Sequence, residues 1–353
     1  MRNVEAKVVK IDKALPISSQ LEEAAWLIKE GKLVIFPTET VYGLGADGIN
    51  AEAAMKIYTA KGRPSDNPLI IHISSPEEAE KYAYTTEEYY KLAATFMPGP
   101  LTVVLKARDV VPYATRGGLA TVAIRCPESE IARELIRISG TAIAAPSANI
   151  SGRPSPTSFS HVYTDMKDRV DMIIDGGECR IGLESTIVSI SEDGGLTLLR
   201  PGGITVADIE SLGLDITVAD AVTAELKPDE IALSPGMKYR HYAPSADLVL
   251  IEGDREAVGN YISEREQRRI GLICYEEDIA FFGSALPFAT LFNFGAKTSE
   301  EEQARRLFKL LREADKGDFE IIYAPLPSKE GIGLALYNRM IRAAAHKIID
   351  LRR

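Results

Sequence analysis

Short apolar runs alternate with helical segments along the first part of the chain, and this alternation most constrains the fold. Residues 33–36, 101–105 and 121–125 are β-branched and aliphatic runs bounded by glycine or proline, which is typical of buried strands. Residues 51–60 and 131–138 instead repeat apolar side chains at the spacing of an amphipathic helix. The mixture predicts an α/β domain whose sheet is not purely parallel.

The pattern changes after Gly213. Residues 215–244 contain no long periodic segment and are interrupted by prolines, so we interpret this stretch as a linker. Beyond it, residues 248–251 and 270–274 are typical of parallel strands, and residues 301–314 form the clearest helical segment between strands. This predicts a smaller, doubly wound, Rossmann-like domain. The predicted parts are a first domain over 1–213, a linker over 214–245 and a second domain over 246–353.

Composition disfavours several classes of protein. With 353 residues and a net charge of −10, the chain can form two cores but as a whole repels polyanions, so a nucleic-acid-coating role is disfavoured. Its three cysteines have no metal-like spacing, so neither a zinc site nor a disulfide framework is expected. No apolar run reaches the roughly 20 residues of a membrane helix, and the N-terminus lacks a signal region. We therefore expect a cytoplasmic protein with no membrane contact and no protein-bound metal site.

The usual nucleotide-binding motifs are weak or missing. The chain has no Gly-x-x-x-x-Gly-Lys-Ser/Thr segment, so a P-loop is absent. Gly43 to Gly48 match the Gly-x-Gly-x-x-Gly pattern of dinucleotide sites. In those sites the first glycine follows a strand directly, whereas here residues 37–42 intervene after Phe36. We therefore expect a glycine-rich loop around a different ligand.

Polar side chains cluster where the predicted strands and helices end. Thr38 and Glu39 follow the first buried strand, where they could bind a ligand or form a turn. Lys61 and Arg63 end a helix, where they could stabilise its C-terminus or clamp phosphates. His72 ends a second strand and could be a core residue or a catalytic group. The residue types alone leave these alternatives open.

Further polar clusters follow the later strands. Ser147, Asn149 and Ser155 lie in a stretch of small hydroxyl and amide residues, whose groups bind ribose and phosphate oxygens. The remaining clusters are Glu184-Ser-Thr186 and Arg200-Pro-Gly-Gly203. Polar clusters at so many strand ends of one domain indicate a shared ligand-binding cleft.

Eight segments occur in a characteristic order and spacing. They are Pro37-Thr-Glu-Thr-Val-Tyr-Gly-Leu44, Lys61-Gly-Arg-Pro64, Asn67-Pro-Leu69, Pro98-Gly-Pro-Leu-Thr102, Val122-Ala-Ile-Arg125, Ala145-Pro-Ser-Ala-Asn149, Glu184-Ser-Thr-Ile187 and Leu199-Arg-Pro-Gly202. Together they resemble the YrdC-like threonylcarbamoyl-AMP synthases, over residues 15–212. Residues 235–244 resemble the linker signature of the long form of that family, which implies a Rossmann-like domain over 246–346.

The resemblance implies roles for individual residues. Lys61 and Arg63 match the family's Lys-x-Arg motif and are expected to be catalytic. The residues expected to hold ATP are Arg63, Asn67, Thr121, Ser147, Asn149, Ser155, Arg200 and, from the linker, His241. Those expected to hold L-threonine are Thr38, His72, Arg125, Ala145 and Ser185, with Arg125 paired to the carboxylate.

The resemblance also implies an activity. A nucleotidyltransferase of this family would condense L-threonine, bicarbonate and ATP, with Mg²⁺ on the triphosphate, into threonylcarbamoyl-AMP and pyrophosphate. The product would supply the threonylcarbamoyladenosine modification of tRNA, and the tRNA threonylcarbamoyltransferase complex is a candidate partner. The linker could act as a lid that excludes water. The resemblance to YrdC-like domains also leaves two alternatives open: an RNA-binding module, and carbamoyl transfer to another acceptor.

Overall fold

The computed structural model describes residues 5–224, 242–265 and 269–352. The chain divides into two compact units. The first comprises Met1–Ser151 and Ser155–Lys238, and the second comprises Gly152–Pro154 and Tyr239–Arg353. Each unit has its own sheet and its own hydrophobic core.

The first unit contains a mixed sheet, with eleven strands in the residues that the structure describes. In chain order these are β1 (Lys7–Lys10), β2 (Val34–Phe36), β3 (Gly43–Asp47), β4 (Ile70–His72), β5 (Leu101–Lys106), β6 (Thr121–Arg125), β7 (Ile143–Ala144), β8 (Met172–Asp175), β9 (Thr186–Ile190), β10 (Leu196–Arg200) and β11 (Ile216–Val218). Their order across the sheet is β1-β8-β2-β3-β7-β4-β6-β5-β9-β10-β11. Parallel pairs such as β4 with β6 occur beside antiparallel pairs such as β2 with β3. The predicted α/β fold with a mixed sheet is confirmed.

The helices of the first unit pack against the strands whose ends carry the polar clusters. They are α1 (Ile17–Lys29), α2 (Ala51–Lys61), α3 (Glu87–Phe96), α4 (Tyr113–Arg116), α5 (Glu130–Ser139), α6 (Phe159–Met166) and α7 (Val206–Glu210). α1 and α5 bury Leu21, Ile28 and Leu135 in one cluster with Phe36 of β2. Burying such side chains contributes about 1.5–3 kcal/mol each, so β2 and the loop that follows it start from a rigid base.

The second unit contains an all-parallel sheet. Its described strands are β12 (Asp247–Glu252), β13 (Ile270–Cys274), β14 (Thr290–Asn293), β15 (Ile321–Pro325) and β16 (Ile348–Asp350), in the order β14-β13-β15-β12-β16. Helices α8 (Arg255–Ser263), α9 (Ile279–Ala285), α10 (Glu300–Ala314) and α11 (Gly333–Ala343) connect them. The predicted Rossmann-like parallel sheet is therefore confirmed. Across residues 5–224, 242–265 and 269–352, no helix is long and apolar enough to cross a membrane.

The glycine-rich stretch Gly43–Asp47 is a strand. It forms β3, which pairs antiparallel with β2. A Cβ atom on Gly45 would lie 2.7 Å from Cε1 of Phe36 and 2.9 Å from Cγ2 of Ile143, so glycine is needed for the strand to pack against these side chains. The expectation of a glycine-rich ligand loop is wrong for these residues, because the glycines serve sheet packing.

The first sheet continues into the residues that were predicted as linker. β11 pairs in parallel with β10, with Leu196 opposite Ile216, and a 3-10 turn at Asp220–Val222 follows. Short strands of this kind are hard to predict because only three residues contribute to the pattern. Residues 225–241 lie outside the described residues, so the predicted domain boundaries stay predictions.

Candidate active site

The candidate site lies at the ends of three strands of the first sheet. β2 ends at Phe36, β4 ends at His72 and β6 ends at Arg125. His72 and Arg125 are paired across the parallel strands β4 and β6, and the ring centroids of His72 and Phe36 are 6.4 Å apart in an edge-on arrangement. The sheet thus brings together side chains that are distant in the sequence.

A buried ion pair joins the loop after β2 to the end of β6. Arg125 Nη2 donates to Glu39 Oε1 at 2.5 Å, and both side chains are 5% exposed. Arg125 Nε donates to the Gly99 carbonyl at 3.3 Å. Burial pushes the pKa of Glu39 upward, but the charge and hydrogen bond of Arg125 outweigh it and hold that pKa below its usual value. Glu39 is therefore ionised at neutral pH and fixes the orientation of the guanidinium group.

His72 lies beside this ion pair and is uncharged there. Burial, and then the positive charge of Arg125, lower the pKa of His72 to about 3. Its Nδ1 atom is buried and has no hydrogen-bond partner among the described residues. A neutral ring can orient a ligand through a hydrogen bond, but it cannot neutralise a negative charge.

Thr38 forms a turn within its own loop. Its hydroxyl donates to the Val41 carbonyl at 2.6 Å and accepts the N–H groups of Thr40 and Val41, each at 3.2 Å. This is the turn chemistry that the sequence left open as one of two alternatives. Thr38 is nevertheless in the same loop as Glu39, so its predicted contact with threonine stays a prediction.

Ser185 connects the residues predicted for threonine with those predicted for ATP. Its hydroxyl oxygen lies 2.7 Å from that of Thr102 on β5 and accepts from Arg200 Nη2 at 3.1 Å. Arg200 Nε donates to the Ser185 carbonyl at 3.0 Å. All three side chains are buried. Two residues predicted for different substrates are therefore in direct contact.

A second buried contact joins Ser155 to Glu184. The Ser155 hydroxyl donates to Glu184 Oε1 at 2.5 Å, and Ser155 has no exposed surface. The backbone of Glu184 passes close to Gly202, where a Cβ atom would lie 2.7 Å from the Glu184 carbonyl oxygen. The segment after β10 is thereby packed directly onto the segment before β9.

Lys61 and the loop after β7 form a third cluster. The Lys61 ammonium donates to the carbonyls of Ser147 and Asn149, the latter at 2.7 Å, and to Asn149 Oδ1 at 3.4 Å. The Ser147 hydroxyl donates to the same Asn149 Oδ1 at 2.6 Å. The two sequence motifs that contain these residues therefore touch each other.

The end of α2 is closed by a glycine and needs no cation for that purpose. Gly62 adopts a left-handed conformation with φ of 62°, and its N–H bonds to carbonyls of the last turn. Arg63 Nη2 donates to the carbonyls of Asn67 at 3.2 Å and Pro68 at 3.0 Å, beyond the helix. Asn67 Oδ1 is buried without a hydrogen-bond partner in the described part of the chain. Lys61 and Arg63 thus bond to carbonyls of loops outside α2, and their predicted contacts with phosphates stay predictions.

Three predicted residues remain to be placed. Thr121 begins β6, roughly 13 Å along the strand from Arg125 at the usual rise per residue, and the parallel register that pairs Ile70 with Ala123 puts it near Pro68, whose carbonyl accepts from Arg63. Ala145 follows β7 and donates its N–H to the Ile70 carbonyl, so it lies within the sheet. His241 lies outside the described residues.

Sequence reasoning gave no specific substrate or supporting role to three polar residues that the structure places in these contacts. They are Glu39, Thr102 and Glu184, which hold Arg125, Ser185 and Ser155 respectively. Each of these residues lies in a segment that resembles a family motif, and that position in a motif was the one feature of the sequence that could have indicated a role. Their roles depend on partners that are distant in the sequence, and no local pattern shows such partners.

The site combines cations with hydroxyl groups. The thiol of Cys126, the residue after Arg125, is protonated at neutral pH because burial raises its pKa to about 12. Arginines and hydroxyl groups held by hydrogen bonds bind anionic substrates and stabilise them by positioning and charge neutralisation. Fold and site together define an α/β enzyme that acts on an anionic, nucleotide-like substrate and that has a second, parallel-sheet domain.

Comparison with known proteins identifies the family. The Sua5/YciO/YrdC model, described as "Telomere recombination", matches residues 26–202, and the model of the threonylcarbamoyl-AMP synthase C-terminal domain matches residues 204–345. A Pyrococcus abyssi threonylcarbamoyl-AMP synthase is 46% identical over 338 residues, covering 93% of this chain and 95% of that protein. The Bacillus subtilis protein of the same name is 42% identical and covers 94% of each. This chain belongs to the threonylcarbamoyl-AMP synthase family.

Solved structures agree with this assignment. P. abyssi Sua5 complexed with L-threonine is similar with a TM-score of 0.87 at 42% identity, over 98% of this chain and 99% of that one. Escherichia coli YciO, 20% identical with a TM-score of 0.50, covers 56% of this chain and 96% of its own, and shows the fold alone. The predicted family, fold class and enzyme class are confirmed.

Proposed function

We propose that this chain condenses L-threonine, bicarbonate and ATP into threonylcarbamoyl-AMP and pyrophosphate, in agreement with its family. The observation that supports this best is the direct contact of Ser185 with Arg200, which joins the groups proposed for the two substrates. The product then supplies the modification of tRNA next to the anticodon. The tRNA threonylcarbamoyltransferase complex is the proposed recipient, and the cytoplasm is the proposed compartment.

Threonine binds at the buried ion pair. Glu39 and the Gly99 carbonyl occupy Nη2 and Nε of Arg125, and the described residues give Nη1 no hydrogen bond. Nη1 is therefore the donor for the substrate carboxylate. The remaining groups proposed for threonine are Thr38, His72, Ala145 and Ser185.

ATP binds along the clusters around α2, β7 and β10. Arg63 and Arg200 provide positive charge for the phosphates, because guanidinium groups make planar, bidentate contacts with phosphate oxygens. The other groups proposed for ATP are Asn67, Thr121, Ser147, Asn149, Ser155 and His241. The mixture of cations and hydroxyl groups suits both phosphate and ribose.

The chemistry takes two steps and needs no protein nucleophile. The threonine amine attacks the carbon of bicarbonate, a carbamate forms, and the departing hydroxide leaves as water with the amine proton. A carbamate oxygen then attacks the α-phosphorus of ATP, and the bond to the bridging oxygen of pyrophosphate breaks. Positive charge from Arg63 and Arg200 stabilises the leaving pyrophosphate.

Mg²⁺ enters with ATP as part of the substrate. In the described residues, no group of three His, Cys, Asp or Glu side chains could hold a metal ion. The ligands of this magnesium ion are proposed to be phosphate oxygens and water, which is the usual arrangement for Mg²⁺ with nucleotides.

The experiment that tests the proposal is the release of pyrophosphate from ATP by the full chain. Release is measured with and without L-threonine and bicarbonate, and L-serine replaces threonine as a control. We expect release that requires both threonine and bicarbonate and that is slower with serine. Release that is independent of threonine would contradict the proposed function and would favour another carbamoyl acceptor.

A further inference from the structure

Lys61 has an unusual position for a residue expected to touch phosphates. It is the last residue of α2 and is only 2% exposed. Its ammonium donates to the carbonyls of Ser147 and Asn149 and to Asn149 Oδ1. The ammonium therefore holds two backbone carbonyls and one side-chain oxygen of the same loop.

These contacts support the 146–151 loop, which follows β7. On one side, the Ala148 N–H donates to the Tyr42 carbonyl at 2.8 Å. On the other side lies Lys61, whose side chain makes the contacts above and whose carbonyl accepts the Ser151 N–H at 3.0 Å. Lys61 thus joins the end of α2 to both the middle and the end of this loop.

The same contacts orient the polar side chains of the loop. Asn149 Oδ1 accepts from both the Lys61 ammonium and the Ser147 hydroxyl. Asn149 Nδ2 donates to the Ile150 carbonyl at 2.9 Å. Removing the ammonium would take away its hydrogen bonds to the Ser147 and Asn149 carbonyls, so the loop would be held less firmly.

A direct contact of Lys61 with phosphate would require these hydrogen bonds to break. Breaking them would leave polar groups of the loop unpaired in a largely buried place, which is unfavourable. An exposed lysine can contact a phosphate without breaking hydrogen bonds to buried groups. The geometry therefore favours an indirect action of Lys61 through the loop.

We propose that Lys61 is a positioning residue, which acts on the nucleotide through Ser147 and Asn149 instead of touching the phosphates. This proposal rests on the proposed binding of ATP at the 146–151 loop. It revises the direct catalytic role expected from the Lys-x-Arg motif, while Arg63 keeps its role as a phosphate-binding group.

The first test is the affinity of the full chain for a non-hydrolysable ATP analogue, measured by calorimetry. Lys61→Met keeps most of the side-chain volume but removes the ammonium group. We expect this variant to bind the analogue about tenfold more weakly, while its affinity for L-threonine stays unchanged. An unchanged affinity for the analogue would overturn the proposal.

Lys56→Met is a matched control on the same helix. The Lys56 ammonium also donates to a backbone carbonyl, that of Gly31 at 2.7 Å, but Gly31 is not part of the 146–151 loop. We expect this variant to bind the ATP analogue as the unaltered chain does. A loss as large as that of Lys61→Met would mean that anchoring α2 is all that Lys61 does.

A double-mutant cycle with Ser147→Ala separates positioning from direct contact. If Lys61 acts through the loop, adding Ser147→Ala to Lys61→Met should cost little further affinity, because the two residues act as one unit. Losses that multiply independently would overturn the proposal. Since only binding is measured, this result is separate from the pyrophosphate assay, in which threonine-independent release would contradict the proposed function alone.

If Lys61→Met does not fold, Lys61→Arg can be used to test the same proposal. Arginine keeps the charge, but its planar group cannot reproduce the three contacts of an ammonium group. We expect weaker binding of the ATP analogue. Full affinity in Lys61→Arg would show that charge alone is sufficient and would overturn the positioning role.

Discussion

Single residues of the site are held in place by buried partners. The pairing of Glu39 with Arg125 removes two charges from water, which is costly, and an ion pair offsets that cost only with good geometry. Replacing such a pair by apolar side chains can even stabilise a protein. The pair is therefore better explained by the orientation it gives to Arg125 than by its contribution to the stability of the fold.

Arg63 is expected to matter more for turnover than for folding. Arg63→Ala removes a proposed phosphate contact and should lower the rate of pyrophosphate release roughly 100-fold, about 2.7 kcal/mol. Its hydrogen bonds to the Asn67 and Pro68 carbonyls come from one partly buried Nη2 group, and a hydrogen bond to a charged group contributes about 1.5–3 kcal/mol, so we expect a loss of stability near the lower value. Pyrophosphate assays and urea unfolding of the same preparations measure both effects.

Arg108→Ala is the control for that prediction. Arg108 also donates to a backbone carbonyl, that of Ala83 at 3.2 Å, but none of the proposed substrate-binding residues contacts it in the described structure. We expect a similar small loss of stability with full activity. Early melting of Arg63→Ala with unchanged turnover per folded molecule would show that Arg63 is a structural residue.

His72 should make the protein less stable in mild acid. Its pKa is about 3 in the folded state and near 6.5 when unfolded, so between these values the unfolded chain binds a proton that the folded one does not. Stability should therefore fall as the pH drops below about 6.5, by up to about 1.4 kcal/mol per pH unit. Urea unfolding at several pH values between 7.5 and 5 should show a weaker pH dependence for His72→Gln. Equal slopes in both proteins would contradict this account.

At the scale of elements, the site depends on chain segments that pack backbone against backbone. The segment after β10 lies against the segment before β9, and a Cβ atom on Gly202 would lie 2.4 Å from the Thr186 nitrogen. Backbone atoms cannot move aside as the end of a flexible side chain can. Gly202 is therefore required by the close approach of two segments that contain proposed substrate-binding residues.

Gly202→Ala should destabilise the first unit and disturb both substrate sites. We expect a loss of about 1–3 kcal/mol, the usual range for forced overpacking, together with weaker threonine binding because Ser185 must shift. Gly203→Ala is the matched control, since its nearest neighbours to a Cβ atom are side-chain atoms at 3.7 Å. Calorimetric binding and urea unfolding of both variants provide the comparison, and equal behaviour would contradict the steric argument.

At the scale of the whole molecule, the two units have sheets of different kinds. The first sheet is mixed and several of the proposed substrate-binding residues lie at its strand ends, whereas the second sheet is entirely parallel. The first unit also extends further along the chain than the apolar pattern predicts. Val222, which follows β11, is only 1% exposed, and Ala221 belongs to a cluster with Leu199 and Ile187.

This extension predicts where the first unit can be cut. A chain that ends after Ala224 keeps β11 and Val222, whereas one that ends after Gly213 loses both. We expect the shorter chain to be less stable by at least about 2 kcal/mol, the value of burying one valine with its neighbours. Urea unfolding of the two truncated chains would test this, and equal midpoints would contradict a structural role for residues 214–224.

The sequence by itself was enough to predict most helices and strands and to identify the family. Thr121–Arg125 and Ile270–Cys274 are strands with the bounds that their apolar runs predicted. Such runs are local, so periodicity and bounding residues are enough to predict them. The family follows from motifs in a fixed order, which the sequence displays directly.

Tertiary structure alone decided which of these residues meet. Glu39 and Arg125 are 86 residues apart in sequence, as are Lys61 and Ser147, and only the strand order brings each pair together. The Gly43–Asp47 strand likewise depends on Phe36 and Ile143 packing against its glycines. Local patterns reflect the backbone preferences of neighbouring residues, whereas these contacts arise from segments that are packed together by the core.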